Sequence, residues 1–386
     1  MKKVLFLTPN SFPAETGGSV LFRKLIGSLD FLDFSWISID KSKVQGLNIK
    51  NANFVNFLPI VKSGSFDKIG RRIPWIGKFW FKIRYGYLKR KGENLNLKDF
   101  STFDLIWVYV STQAIPFSSA VFKRTKVKLH ISVQDDIYGH LPKWEAKILE
   151  DDYIWLLKNA TTIDFASEAL KDYLFTKYNF SNRYKIVCFA DETEVPSPIL
   201  NNNISNIGFA GNVWSPKNFN TLLLNLNNLN KTGRNLKLHV FSNNFPKSLE
   251  DNFSFEIENR GLMKNEDLVN ELQKMDLVYV PMSFEENKKI LSSTSFPSKV
   301  FTYLNTGIPI LFHAPKYSSV FKFIEKHNTG FVISSNDEEE FKKDFEKILN
   351  SKVGERRMIS ENAIRLLKNK YAFSNQRLEF IDLILN

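Results

Sequence analysis

The feature that most constrains this chain is an alternation that runs twice. Through residues 3–189, short apolar runs that read as buried strands alternate with stretches of helical periodicity. The pattern lapses over residues 191–205, where Pro196, Pro198 and an asparagine run leave no period, as a linker would. It restarts at residue 206 and continues to residue 333, followed by helical patterns to the end. Strands that alternate with helices form parallel sheets covered on both faces. Two such halves joined by a linker predict an α/β protein of two doubly wound domains facing a central cleft, the usual place for a ligand.

In the first half the predicted strands are residues 3–7, 33–39, 53–57, 104–110, 128–133, 161–165 and 185–189. In the second half they are residues 206–210, 236–241, 255–258, 277–280, 310–312 and 331–333. Helices are expected over residues 20–29, 219–229, 266–275, 338–349, 356–370 and 375–385, and over 167–174 with Ser167 as the cap.

Composition narrows the function classes. Hydrophobic residues make up 43% and charged residues 24% of the 386, a globular profile. No apolar run approaches the ~20 residues of a membrane helix. The opening Met1-Lys2-Lys3-Val4-Leu5-Phe6-Leu7-Thr8-Pro9 has too short an apolar part for a secretory signal. A single cysteine, Cys188, excludes an internal disulfide and suits a reducing compartment, so a cytoplasmic protein is expected. The formal net charge of +12 favours an anionic partner: a nucleotide, a nucleic acid or an acidic lipid surface. The charge clusters within residues 62–91 and no nucleic-acid module is visible, so nucleic acid is not an expected partner.

Four stretches carry candidate chemistry. Residues 295–312 read as a short helix with both ends marked, feeding a strand. Ser295 suits the N-cap, Pro297 the first helical position, Gly307 a left-handed stop, and Pro309 prevents continuation. Val300, Phe301 and Leu304 share one side, and Ser298, Thr302 and Asn305 another. The start at Pro297-Ser298-Lys299 would suit an anion, with Lys299 adding a full charge; an ordinary buried connecting helix is the alternative. Second, Gly17-Gly18 follows the first strand and precedes a helix, the arrangement that sets backbone amides against a phosphate, or else a simple tight turn. Third, Gln134-Asp135-Asp136 ends a strand, where carboxylates would face the ligand crevice or cap the next helix. Fourth, residues 62–91 are basic and aromatic. They read either as surface helices whose aromatics face the core, or as a patch that meets anionic headgroups with Trp75, Phe79, Trp80 and Phe81 dipping in.

Taken in order, these pieces resemble a GT-B glycosyltransferase of the family 4 type. The resemblance rests most on Asp276-Leu277-Val278-Tyr279-Val280-Pro281 followed by P-S-K-V-F-T-Y-L-N-T-G-I-P-I-L. Gly17-Gly18, residues 166–170, residues 208–211, Gly261, residues 330–332 and the final Tyr371-Ala372-Phe373-Ser374 support it. It implies two Rossmann-like domains, 1–195 on the acceptor side and 205–370 on the donor side, with residues 371–386 crossing back to the first. It also implies transfer of a sugar from a nucleotide-sugar to an acceptor hydroxyl with retention at the anomeric carbon; no paired carboxylates at metal-ligand spacing stand beside the basic site, so a metal-independent reaction is expected.

By that resemblance the donor lies against Gly17, Gly18, Asn212, Lys217, Gly261, Ser295, Phe296, Pro297, Ser298, Lys299 and Thr302. Lys217 contacts the diphosphate. Asn212 stands where many relatives have an arginine, and Lys299 supplies the replacement charge. Two family glutamates are absent, their positions taken by Thr294 and Thr302. Thr302 is left to bond the ribose, and the amides of residues 294–296 to hold the sugar. Gln134 replaces a histidine of the relatives, so Asp135 or Asp136 is expected to orient the acceptor or take its proton. Lys299 is expected to stabilise the leaving diphosphate. No cofactor is implied, since the nucleotide-sugar is a substrate, carried on either uridine or guanosine diphosphate. The expected acceptor is a glycan or lipid-linked species of surface polysaccharide or glycolipid synthesis, with residues 62–91 at the inner face of the membrane. A non-catalytic sugar-nucleotide-binding subunit of a glycosylation complex is the alternative that the missing carboxylates motivate.

Overall fold

A computed structural model describes residues 1–8, 17–39, 53–56, 73–95, 101–190, 195, 198–246, 249 and 253–386. The expectations for residues 9–16, for 62–72 and for most of 191–197 lie outside the described residues. The chain divides into two compact units. One comprises Met1–Val187 with Arg377–Asn386, the other Cys188–Gln376.

The first unit is built on seven strands: β1 Lys3–Thr8, β2 Asp33–Ser38, β3 Asn53–Asn56, β4 Leu105–Tyr109, β5 Lys128–Val133, β6 Thr162–Phe165 and β7 Arg183–Ile186. They run in the order β3-β2-β1-β4-β5-β6-β7, and every pairing is parallel. The central strands are apolar runs because both faces of a parallel sheet are covered. Trp107 on β4 is wholly buried, with the Phe6 ring 4.3 Å and the Phe380 ring 4.8 Å from its own. Phe380 comes from the last helix, Phe373–Leu385. That helix is held further by Arg377, which donates to the Ser28 carbonyl at 2.8 Å, and by the Asp382–Arg183 pair at 2.8 Å.

Two helices of this unit escape a reading by periodicity. Ala114–Phe122 is buried at all nine residues, so it has no polar face to mark a 3.6-residue repeat. Lys143–Asn159 carries a buried aspartate, Asp152, on its inner side. Asp152 accepts from Tyr85 at 2.6 Å, Ser119 at 2.7 Å and Lys123 at 2.8 Å, which ties three helices together. Burial alone would raise its pKa, but the bonds from Lys123, Tyr85 and Ser119 outweigh burial and hold it at about 2.

The second unit has six strands: β8 Asn206–Ala210, β9 Lys237–Phe241, β10 Ile257–Asn259, β11 Leu277–Pro281, β12 Ile310–His313 and β13 Gly330–Ile333. Their order is β10-β9-β8-β11-β12-β13, again parallel throughout. Part of the expected linker is built into this unit. Asp276 accepts from the amides of Ser205 at 2.9 Å and Asn206 at 2.8 Å, and from the Asn201 side chain at 2.8 Å. The buried Arg356 donates to the carbonyls of Asn201 and Asn202 at 2.8 and 2.9 Å. Among the described residues no helix is long and apolar enough to cross a membrane.

Candidate functional site

In the second sheet the strand order reverses between β8 and β11. In open parallel sheets the crevice beyond the carboxyl ends at such a reversal receives the ligand. Gly211 leaves β8 there with φ +87°, a left-handed conformation that a side chain resists. The chain then passes Asn212, Val213, Trp214 and Ser215 into the helix Pro216–Lys231. Pro216 is at its first position, and the Ser215 side chain makes no cap bond to the amides at its start. A 16-residue helix that opens on uncapped amides favours an anion there. Lys217, the second residue of this helix, is exposed. It lies close enough to Glu285 to help lower that carboxyl's pKa, after the larger effects of Lys288 and Ser283.

The short helix Lys299–Leu304 packs against the same strand end. The Tyr303 hydroxyl accepts a hydrogen bond from the Ala210 amide at 2.7 Å. Lys299 Nζ lies 4.3 Å from the centre of the Phe209 ring. A Cβ on Gly211 would stand 3.8 Å from the same nitrogen. Lys299 is thus held on an aromatic face at the carboxyl end of β8, and burial, its sole cause of shift, lowers its pKa to about 7.

The neighbouring loops join this edge through side-chain amides. Asn244, after β9, donates to the Asn212 side chain at 3.2 Å. Asn243 accepts from the Leu262 amide at 2.9 Å. Gly261, with φ +72°, precedes that residue. Behind the edge, Asn218 donates to the Met282 carbonyl at 2.7 Å, and the Tyr279 hydroxyl lies 3.0 Å from His313 Nδ1. Burial pushes the His313 pKa down to about 4, so it is a neutral scaffold group at pH 7. The structure therefore brings Asn212, Lys217, Gly261 and Lys299 to one edge of one unit.

Several expected roles change. Ser295 is not an N-cap. It ends the preceding helix, Lys289–Thr294, and its amide donates to the Leu291 carbonyl at 2.9 Å. Pro297 and Ser298 form a turn ahead of the helix, which begins at Lys299 without a side-chain cap. A six-residue helix of this kind offers little dipole, so the charge near it comes from the ammonium group. Phe296 packs in an aromatic cluster with Phe301 at 5.3 Å and Phe323 at 4.9 Å. Asn305 is buried, which leaves Ser298, exposed, and Thr302, half-buried, as the polar side of the helix. Thr294 is buried and donates to the Ile290 carbonyl at 2.7 Å. Gly307 does take the left-handed conformation that stops the helix, at φ +70°.

In the first unit, Gly17 and Gly18 are the first residues of the helix Gly17–Gly27 and not part of a loop. Asp136 is fully buried and caps the helix Ile137–His140 by accepting from the Tyr138 amide at 3.0 Å, with Lys177 Nζ at 3.6 Å. A carboxylate so enclosed serves as the helix cap, and Asp135 is the more open of the two. Asp135 is half-buried at the end of β5. Its charge adds to the burial that raises the Tyr109 phenol. His130 is structural, as its mid-strand position implies: it is wholly buried between Asp164 and Thr162, each at 2.9 Å.

Three contributors have no local signal. Phe209 and Tyr303 matter only because β8 and the Lys299 helix meet, some 90 residues apart in the chain. Trp214 is 65% exposed beside the helix start and offers an apolar plate for a ring. Asn243-Asn244 could be found as amide residues one position beyond the end of a predicted strand.

The family model for the Glucosyltransferase 3-like, C-terminal domain matches residues 207–371. A comparison with curated protein sequences finds no match. Among solved structures, the chain is similar to a sucrose-phosphate synthase from Thermosynechococcus elongatus, with TM-score 0.69 and 12% identity over 99% of this chain and 98% of that one. It is similar to a glycosyltransferase from Rickettsia africae, with TM-score 0.65 and 14% identity over 99% and 97%. It is also similar to the Anabaena protein HepE in complex with UDP and glucose, with TM-score 0.64 and 13% identity over 99% of each chain. The chain therefore has the GT-B glycosyltransferase fold, and the candidate edge falls within the part of it that matches the glucosyltransferase 3-like C-terminal domain.

Proposed function

We propose that this protein is a glycosyltransferase that moves a sugar from a nucleoside-diphosphate sugar to an acceptor hydroxyl. The observation that carries the reading is the carboxyl edge of the second sheet. Gly211, the open start of Pro216–Lys231, Lys217 and the ring-seated Lys299 converge there within the matched domain. UDP in the HepE structure and the glycosyltransferase fold support a nucleoside diphosphate as the ligand. In the reaction the anomeric carbon–oxygen bond breaks and its electron pair leaves on the diphosphate. The acceptor oxygen bonds to the anomeric carbon, and its proton passes to a base. Lys217, Lys299 and the backbone amides stabilise the leaving group, a role that needs no divalent ion. Asp135 is the proposed acceptor-side carboxylate. Assignment to family 4, retention at the anomeric carbon and a role in surface polysaccharide or glycolipid synthesis rest on the sequence motif.

One observation favours a second reading, a non-catalytic sugar-nucleotide-binding subunit. Thr294 stands at one family carboxylate position and is buried, with its hydroxyl already bonded to Ile290. Incubation of the purified protein with labelled UDP-sugars and GDP-sugars, with and without glycan or lipid-linked acceptors, separates the two. Nucleotide release or sugar transfer that disappears in Lys299→Ala supports the transferase; tight nucleotide binding with no turnover supports the subunit.

A further inference from the structure

The helix Pro74–Glu93 carries a row of large apolar side chains that stand exposed among the described residues. Trp75 is 72% exposed, Phe79 59% and Ile83 46%, and Trp80 and Tyr87 also stand out among the exposed hydrophobics. Spacings of four and three residues set these on one side of the helix. The opposite side is where the helix is packed. Phe81 meets Trp144 at 5.5 Å, Tyr85 donates to Asp152, and Leu88 and Gly92 are buried against the unit. Of the four aromatics expected at a surface, Trp75, Phe79 and Trp80 are exposed, whereas Phe81 belongs to the core side.

The charge around the row decides what it meets. The helix carries Lys78, Lys82, Arg84, Lys89, Arg90 and Lys91 against a single anion, Glu93. Lys78 and Lys82 flank one side of the row and Arg84 and Lys91 the other, by helical spacing. Lys89 is committed to Asp152 at 3.2 Å. A second copy of this helix would bring like charges together on both flanks. An anionic bilayer instead pairs with the lysines while the aromatic rings enter the headgroup boundary.

We propose that Trp75, Phe79, Trp80, Ile83 and Tyr87, flanked by Lys78, Lys82 and Lys91, form a surface that docks this protein on an anionic lipid bilayer. The helix lies along the interface and does not span it. This surface is independent of the transferase reading, because nucleotide binding is measured separately from lipid binding.

The test is co-sedimentation of the full chain with vesicles of phosphatidylcholine alone and of phosphatidylcholine with phosphatidylglycerol. Binding is expected only with phosphatidylglycerol, and it falls as salt rises. Trp75→Ser with Phe79→Ser, all exposed positions, abolishes it while the melting temperature is unchanged. Lys78→Glu with Lys82→Glu weakens it by about tenfold or more. No sedimentation with phosphatidylglycerol at low salt overturns the proposal, as does sedimentation that both double variants retain. A concentration-dependent dimer in sedimentation velocity that Trp75→Ser with Phe79→Ser disrupts also overturns it, because the row is then a self-association face.

Discussion

The Lys299 ammonium sits 4.3 Å from the centre of the Phe209 ring, with its pKa lowered to about 7 by burial. An aromatic face partly compensates a cation that has left water, yet leaves its outer side open to an anion. A bound diphosphate returns the proton's preference to the lysine, since an opposite charge nearby favours the charged form.

Proton uptake on binding follows. Above pH 7 the free site holds a largely neutral amine, and a diphosphate must draw in a proton as it binds. Calorimetry of UDP or GDP binding at pH 8 in buffers of different ionisation enthalpy is expected to show close to one proton taken up. Affinity should fall by about fivefold from pH 7 to 8 and by about tenfold from pH 8 to 9. Lys299→Met removes the uptake and weakens binding by roughly 10–100-fold, the worth of one charge-assisted bond.

The same lysine shapes stability without ligand. Its pKa is lower in the folded chain than in the unfolded one, near the ordinary 10.5. Between pH 7 and about 10.5 the unfolded state binds more protons, so this group's contribution to stability rises with pH in that window. Below pH 7 both states are protonated and the contribution is flat at its least favourable level. Lys299→Met should therefore melt higher than the parent at pH 7, with the difference shrinking toward pH 10, as followed by thermal unfolding across that range.

Gly211→Ala tests the strand end itself. At φ +87° a Cβ costs about 1–2 kcal/mol of backbone strain, and it would project toward the Lys299 ammonium 3.8 Å away. The expected outcome is a lower melting temperature together with weaker diphosphate binding. A variant as stable and as tight as the parent would show that the turn is tolerant.

The two aspartates after β5 should behave differently. Asp136→Ala removes a cap and leaves Lys177 without that carboxylate, which costs about 1–2 kcal/mol in denaturant unfolding. Asp135→Asn, at a half-buried position, is expected to change stability by no more than about 0.5 kcal/mol. Its effect should appear in turnover, slowed by roughly a hundredfold if it handles the acceptor proton.

The sheets were legible because buried parallel strands are short apolar runs with little else in the sequence like them, such as Leu105–Tyr109 and Leu277–Pro281. Ala114–Phe122 was not, since a helix buried on every side has no polar stripe. The helix Lys289–Thr294 is only six residues, too short to repeat, so Ser295 could not be told from the start of the next element. Lys299 could be named from its motif, but its seat could not. The Phe209 ring that holds it belongs to another strand, and only the packing of Tyr303 on Ala210 brings the two together.

The most direct test of the donor site is calorimetric titration of UDP and GDP into the parent protein, Lys299→Met and Lys217→Ala at pH 7. One of the two nucleotides is expected to bind the parent, with each substitution weakening it by roughly tenfold or more. Binding of equal affinity in all three proteins, or of neither nucleotide to the parent, would contradict a diphosphate held at the carboxyl edge of the second sheet.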